Sequence, residues 1–240
     1  MKKIKETVLD FFHINIAGDR ARWVKKTLFA LPRGLRILDV GAGETPYKKW
    51  CVGQEYLAQD FAKYDGAGDG VGLHTGTWDR SNIDIVSDIV SIPQPDASFD
   101  VIICTEVLEH VPDPVAALHE CRRLLKVGGV IIITAPFHSM THFAPYHFCT
   151  GFSAYFYDEH LGRKGCEMLE VTPCGSFFSV VAQEVMLIPR FCRRYAGIFY
   201  AVVSMPFIVP AILFLRIAMA FGLGSSELLC FAYFVRARKQ

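Results

Sequence analysis

The chain has 240 residues, of which 25 are basic and 24 acidic, and 52% are hydrophobic. That length can bury the core of one α/β domain, and the near-zero balance of charge excludes a general electrostatic attraction to nucleic acid. The eight cysteines include no Cys-x-x-Cys pair and several stand in apolar runs, where free thiols behave as small hydrophobes, so the chain reads as reduced and cytosolic.

The N-terminal stretch MKKIKETVLDFFHINIAGDRARW is basic. Its apolar patch is short and interrupted by charge, and no small-residue cleavage site follows, so it reads as a surface helix and not as a secretory signal. Residues 19–31 place Trp23, Val24, Leu28 and Leu31 at helical spacing before Pro32 and Gly34 end the segment. Leu35 to Val40 reads as a buried strand running into a glycine turn, and EYLAQD as a second strand closing on Asp60. Residues 63–82 are polar, rich in glycine and without periodicity; Ile83 to Val86 then suggests a third strand, and Val101 to Cys104 a central parallel one. Asp113 has the chemistry of an N-cap and Pro114 that of a first helical residue, opening a helix with Val115, Leu118, Cys121 and Leu125 on its apolar face. KVGG stops that helix and VIIITAP follows as the fifth strand; GCEMLEVTP reads as the sixth, and the last strand is expected at about 228–237. Strands alternating with helices at this rhythm specify a Rossmann-like, doubly wound α/β sheet in a single domain, 1–240, with its core over 20–175.

In such a sheet the ligand binds beyond the C-terminal ends of the strands. After the first strand stands DVGAGETP, where Gly41 and Gly43 remove side chains beside a passing ligand and Asp39 is a carboxylate at the strand tip. A dinucleotide fingerprint would want glycine at position 46, which is Pro46, and a pyrophosphate would meet the negative charges of Asp39 and Glu44. The site suits a ligand with a positive group and hydroxyls. Asp60 closes the second strand 19 residues after Gly41, the spacing at which an acidic residue accepts from ribose hydroxyls. Asp88 with Ile89 follows the third strand, where a carboxylate could accept from an adenine amino group and the apolar neighbour could cover the ring.

In order and spacing, ILDVGAGETP, AQDF, VSDIVSIPQPDASFDVIICTEVLEHVPDP and LLKVGGVIIITAPF resemble the class I S-adenosylmethionine-dependent methyltransferases, in particular the branch that includes quinone-biosynthetic enzymes. The resemblance implies a seven-stranded sheet whose last strand is antiparallel, and S-adenosylmethionine as cofactor. It also implies contacts from Asp39, Gly41, Ala42 and Gly43 to the methionine part, from Asp60, with Phe61 beside it, to the ribose, from Asp88 and Ile89 to the adenine, and from Thr105 through its backbone. Direct displacement at the methyl group asks the protein mainly for alignment and for a way to deprotonate the acceptor.

Glu106, Glu109 and His110 stand at i, i+3 and i+4, so one helical turn would bring them to one face. They could hold a divalent metal, as a similar run does in quinone O-methyltransferases and small-RNA 2′-O-methyltransferases; the preferred reading is that they brace the loop by hydrogen bonds. The loop after the fifth strand carries His138, His142 and His147 among aromatics and is expected to build the acceptor pocket. Without cysteine or tetrahedral spacing these histidines read as hydrogen-bonded loop residues, with His142 or His147 as general base and Tyr146 and Tyr155 as pocket lining.

Residues 176–195 read as an amphipathic helix ending in Arg190, Arg193 and Arg194, and residues 196–224 contain only one charge, Arg216. Both ends of this insertion, about 176–226, must return to one sheet, which forbids a single membrane crossing, and Pro206 and Pro210 are expected to divide the apolar run into pieces too short to cross twice. An interfacial or re-entrant hairpin remains, or helices buried against the domain or a second subunit; attachment to the cytoplasmic membrane face is preferred, with a homodimer through the insertion as the other option. The expected function is methyl transfer to oxygen or carbon of a small or lipid-linked acceptor near a membrane. The rivals are a metal-assisted O-methyltransferase on a soluble diol or RNA end, and a non-catalytic S-adenosylmethionine-binding or scaffold protein.

Overall fold

The structure is a computed structural model that describes residues 15–74, 76–221 and 226–240. Residues 1–14 of the expected N-terminal helix, and residues 222–225 of the insertion, lie outside the described residues. The chain divides into two compact units: one runs from Arg20 to Thr172 and resumes over Ala232–Gln240, and the other contains Pro173–Phe231 together with the chain before Arg20.

The first unit is built on one seven-stranded sheet. Its strands are β1 (Arg36–Val40), β2 (Glu55–Asp60), β3 (Ile85–Val86), β4 (Phe99–Thr105), β5 (Leu125–Pro136), β6 (Cys166–Cys174) and β7 (Ala232–Lys239), in the order 3-2-1-4-5-7-6. β1 to β5 pair in parallel, and β7 runs antiparallel to β5 with Ile132 opposite Arg236. The order reverses at β1, between β2 and β4, which is where a doubly wound sheet opens a crevice at its strand tips. Helix α1 (Ile16–Phe29) presents Val24 and Leu28 to Ile37, Val101, Ile103 and Ile132, all nearly solvent-free, so its helical spacing of apolar residues becomes one side of the core.

Helix α2 (Pro114–Leu124) begins as expected, with Asp113 Oδ1 accepting from Ala116 N at 2.9 Å and proline at the first position. Its end differs from expectation. Leu125, assigned to the apolar face of the helix, is already the first residue of β5, paired with Phe99 ahead of a register shift. A buried leucine four residues after Cys121 satisfies a helix stripe and a strand start equally well, and sheet pairing decides between them. The third strand is also shorter than expected, Ile85 to Val86 only. A seven-residue helix α3 (Ala154–His160), not foreseen, precedes β6; Tyr155 lies on it at 85% exposure and is not among the residues lining the strand-tip cavity, contrary to the expected role.

Between Pro173 and Phe231, the described residues of the second unit form a pair of helices, α4 (Phe177–Tyr195) and α5 (Ile198–Ala220). A capping box between Ser176 and Ser179 opens α4. The expected break at Pro206 and Pro210 does not occur: α5 is one helix of 23 residues that passes through both. The prolines are four residues apart and both exposed, so the backbone bonds they forfeit lie along one outward strip of the helix. The inward positions of α5 include Ala201, Ser204, Ile208, Ala211, Leu215 and Ala218, alternating by three and four, which is the seam by which one helix packs along another. The outward face is equally apolar, with Phe199, Phe207 and Phe214 between 64% and 76% exposed.

Candidate active site

The crevice at the strand tips is a cavity of about 400 Å³, within the range that holds a small-molecule ligand. Gly41, Asp60, Phe61, Asp88 and Ile89 line it, as do Glu106 and His110. Asp39, Ala42, Gly43, Thr105 and Glu109 are not among its lining residues, nor are His142 and His147.

The first wall is the turn after β1. Gly41 has φ +63°, and a Cβ there would meet Val107 Cγ2 at 2.5 Å; at Gly43, φ +51°, it would meet the Trp78 ring at 2.7 Å. Both conformation and space therefore require glycine. Asp60 fastens this turn, one carboxylate oxygen accepting from Gly43 N at 3.0 Å and the other from Ala62 N at 2.7 Å. Gln59 joins the same strand tips, accepting from Gly41 N and donating to the carbonyl of Ser87. Asp88 is exposed, accepts from Val90 N at 3.2 Å and borders the cavity beside buried Ile89. Asp39 stands behind the turn, 1% exposed, accepting from the Tyr56 hydroxyl at 2.6 Å. Burial pushes its carboxyl up to about 7, the Tyr56 hydrogen bond opposing and the nearby Asp60 charge adding.

The opposite wall comes from β4 and from the loops around β5. Glu106 follows β4 with φ +55°, a left-handed conformation uncommon for a residue with a side chain. Its N–H donates to Thr134 O at 2.7 Å, its Oε1 accepts from the Thr134 hydroxyl at 3.0 Å, and its Oε2 pairs with Arg20 at 2.5 Å. Glu106 thus ties the β4 tip to β5 and α1. Glu109 does not: it is fully buried, neither carboxylate oxygen has a hydrogen-bond partner, and burial holds its carboxyl well above the usual range, with Glu106 adding to the effect. Of the three residues expected on one face, Glu106 is engaged by Arg20 of α1, and Glu109 is enclosed with Oε1 3.7 Å from His110 Nε2.

His110 lines the cavity and donates from Nδ1 to the carbonyl of Tyr146 at 2.6 Å, a bond to a carbonyl that fixes the proton on Nδ1. Burial lowers its pKa to about 4, so the ring is neutral near pH 7. Phe148 N and Cys149 N both donate to the carbonyl of Glu109, stitching the loop after β5 against the short turn Leu108–His110. Through this stitching His142 and His147 stand next to His110, with ring centroids 4.7 and 6.1 Å away. His142 is hydrogen-bonded, Nδ1 to the carbonyl of Met140 at 2.8 Å, but both ring nitrogens of His147 are buried without a partner, unlike the hydrogen-bonded loop residue expected.

Residues 63–82 also turn out to build the site. Leu73 N donates to Thr141 O and Phe143 N to Leu73 O, so this passage pairs with the loop after β5. The pairing assembles Tyr64, Trp78, Phe143 and Tyr146 into an aromatic wall, with Tyr64 and Phe143 stacked at 4.6 Å and Trp78 edge-on to both. Tyr146 was foreseen as lining; Tyr64, Trp78 and Phe143 were not, and only their aromatic character within an aperiodic stretch could have drawn attention to them.

Residues 38–133 match the methyltransferase-domain family. Among curated relatives, the ubiquinone biosynthesis O-methyltransferase of Leptothrix cholodnii is 30% identical over 118 residues, 48% of this chain and 49% of the relative. That of Xylella fastidiosa is 36% identical over 104 residues, 42% of each chain. The chain spans about half the length of the curated relatives it matches. Among solved structures, the cyclase SpnF superposes with a TM-score of 0.53 at 20% identity, covering 92% of this chain and 80% of that one. Phosphoethanolamine N-methyltransferase 2 of Haemonchus contortus, in complex with S-adenosyl-L-methionine, gives 0.52 at 14% identity, covering 92% and 52%. Such distant likenesses establish a fold, and the cyclase among them illustrates that one fold hosts different activities. Residues 38–133 are therefore a methyltransferase domain, and the chain that carries it has the fold of the class I S-adenosylmethionine-dependent methyltransferases.

Proposed function

We propose that this protein is an S-adenosylmethionine-dependent O-methyltransferase whose acceptor is an apolar or lipid-linked hydroxyl compound met at a membrane surface. The observation that carries the reading is the two-walled cavity. One wall offers Asp60, Asp88 and Ile89 around a glycine turn, two acceptors and an apolar cover suited to ribose hydroxyls, an adenine ring and a nearby cation; the other is aromatic and imidazole-lined. The cofactor would supply an electrophilic methyl group. The chain's part is then to hold the ribose on Asp60, to cover adenine with Ile89, to close the front with Trp78, and to align the acceptor hydroxyl between Phe143 and Tyr146. The acceptor's proton would pass to the imidazole group formed by His110, His142 and His147, of which His110 faces the cavity. The relatives named for ubiquinone biosynthesis support an oxygen acceptor of apolar character.

Calorimetry tests the cofactor half. S-adenosylmethionine should bind the wild-type chain, and Asp88→Ala, at an exposed turn residue, should weaken it at least about tenfold, the loss of one charge-assisted hydrogen bond, without lowering the melting temperature. No binding to the wild type would leave the scaffold reading in its place. Mass spectrometry of lipid and polar extracts from cells with and without the gene, using labelled methionine, tests the acceptor half through a one-methyl shift.

Support for the membrane comes from α5, whose mean hydropathy reaches 2.3 in a stretch only 17% buried. Both ends of the helical unit continue into β6 and β7, neighbours in one sheet, so one net crossing is forbidden by connectivity. An interfacial hairpin satisfies that constraint, with Arg193 and Arg194 at the turn between the helices placed to meet anionic headgroups. Flotation with anionic vesicles, compared with the same chain lacking 177–221, reads this directly.

A further inference from the structure

From the cluster formed by His110, His142 and His147 we infer a divalent transition-metal site, of the imidazole-rich kind that takes Zn²⁺. The three side chains offer ligand atoms within 4.8 Å of one another. Their hydrogen bonds are those of preset ligands: His110 and His142 each donate from Nδ1 to a backbone carbonyl, which leaves the lone pair on Nε2. His110 Nε2 and both nitrogens of His147 are buried without any hydrogen-bond partner. Leaving that many buried polar atoms unmatched is costly, and an ion that takes one lone pair from each ring removes the cost at His110 Nε2 and at one nitrogen of His147.

The donor chemistry selects the ion. Three nitrogens suit Zn²⁺ or its first-row neighbours, whereas Mg²⁺ and Ca²⁺ take oxygen sets. Bonds of about 2.1 Å in a tetrahedral arrangement bring nitrogens to about 3.4 Å, so the rings close by up to about 1.4 Å, within reach of side-chain torsions. Glu109, fully buried with both oxygens unmatched and Oε1 3.7 Å from His110 Nε2, adds an oxygen donor beside the three nitrogens. The carboxylate that does not belong is Glu106, already committed to Arg20 and Thr134. The site thus differs from the Glu106, Glu109, His110 set suggested by spacing: two of its three ligands come from the loop after β5. Ion binding is read without methyl transfer, so it is tested apart from the function proposed above; the ion would take the imidazole lone pairs to which that function passes the acceptor's proton, and would acidify the acceptor hydroxyl in their place.

The test is metal analysis of the full chain after chelator treatment, reloading with Zn²⁺ and desalting, with Co²⁺ loading as a spectroscopic reporter. One ion per chain is expected, with a ligand-field band for Co²⁺ and a higher melting temperature on reloading. His142→Ala and His147→Ala should each weaken binding at least about tenfold, while Glu106→Gln should retain it. Circular dichroism of each variant establishes that it is folded, and the wild-type melting shift stands independently of the variants. No retained ion in the folded wild type would overturn the inference. So would an ion that survives His142→Ala and His147→Ala but is lost in Glu106→Gln.

Discussion

The two units of this chain use the same apolar alphabet to opposite ends. In the sheet unit Ile102, Ile103, Leu118 and Ile132 are fully enclosed, and Asp60 at a strand tip is matched on both carboxylate oxygens, by Gly43 and Ala62. In the helical unit, α5 encloses a narrow seam and leaves Phe199, Phe207 and Phe214 facing outward. A helix apolar on all sides is at home only where its surroundings are apolar too. The contrast teaches that hydrophobic content alone says little; the direction each residue faces decides whether it stabilises a fold or prepares a contact.

Vesicle binding gives the largest expected contrast. Replacing Phe207 and Phe214 together by Glu should lower partition into anionic vesicles at least about a hundredfold, since each buried phenylalanine contributes roughly 1.5–3 kcal/mol. Unchanged flotation would mean that the outward face of α5 meets no lipid. Within the protein the order should invert. Ile103→Ala, at a solvent-free position of β4, should cost about 2–5 kcal/mol in urea unfolding, whereas Phe207→Ala, 76% exposed, should change stability by less than about 0.5 kcal/mol. A cost above about 2 kcal/mol for Phe207→Ala would place that face inside a protein interface.

Next in size is a pH effect confined to the sheet unit. Asp39 has a carboxyl raised to about 7 in the fold against about 4 unfolded, so the native state binds more protons between those values. Its contribution is therefore intact at low pH and is lost as pH rises through 7, by on the order of a few kcal/mol. Asp39→Asn, which can still accept from Tyr56, should match the wild type near pH 4 and exceed it at pH 8. Parallel unfolding curves at both pH values would contradict the buried, protonated carboxyl. The smallest expected effect is at α2, where Asp113→Ala should cost about 1 kcal/mol through loss of the bond to Ala116 N, measured by thermal melting.

Much of the sheet was legible because its signals are local. The runs at 35–40, 55–60 and 101–104 are apolar and bounded, and Asp60 and Asp88 fall where strand tips must be. Legibility ended where long-range pairing took over. Trp78 and Phe143 meet because Leu73 bonds to Thr141 and Phe143, a contact with no trace in periodicity. The histidine cluster has the same origin: His110 comes from the β4 turn and His147 from the loop after β5, joined through the carbonyl of Glu109. Proline misled for a different reason. Pro206 and Pro210 punctuate a helix in water, yet four residues apart they leave their missing bonds on a single strip, and the helix carries on.

Phe231 N donates to Cys174 O at 2.8 Å, so the pair α4 and α5 leaves and rejoins the chain across one hydrogen bond. For the polymer, everything from residue 175 to 230 is a single long loop, and the entropy of closing a loop grows only slowly with its length. The helical pair is thus a detachable module: a short turn from Cys174 to Phe231 should leave β6 and β7 joined, and the excised segment could be transplanted between neighbouring strands of another sheet.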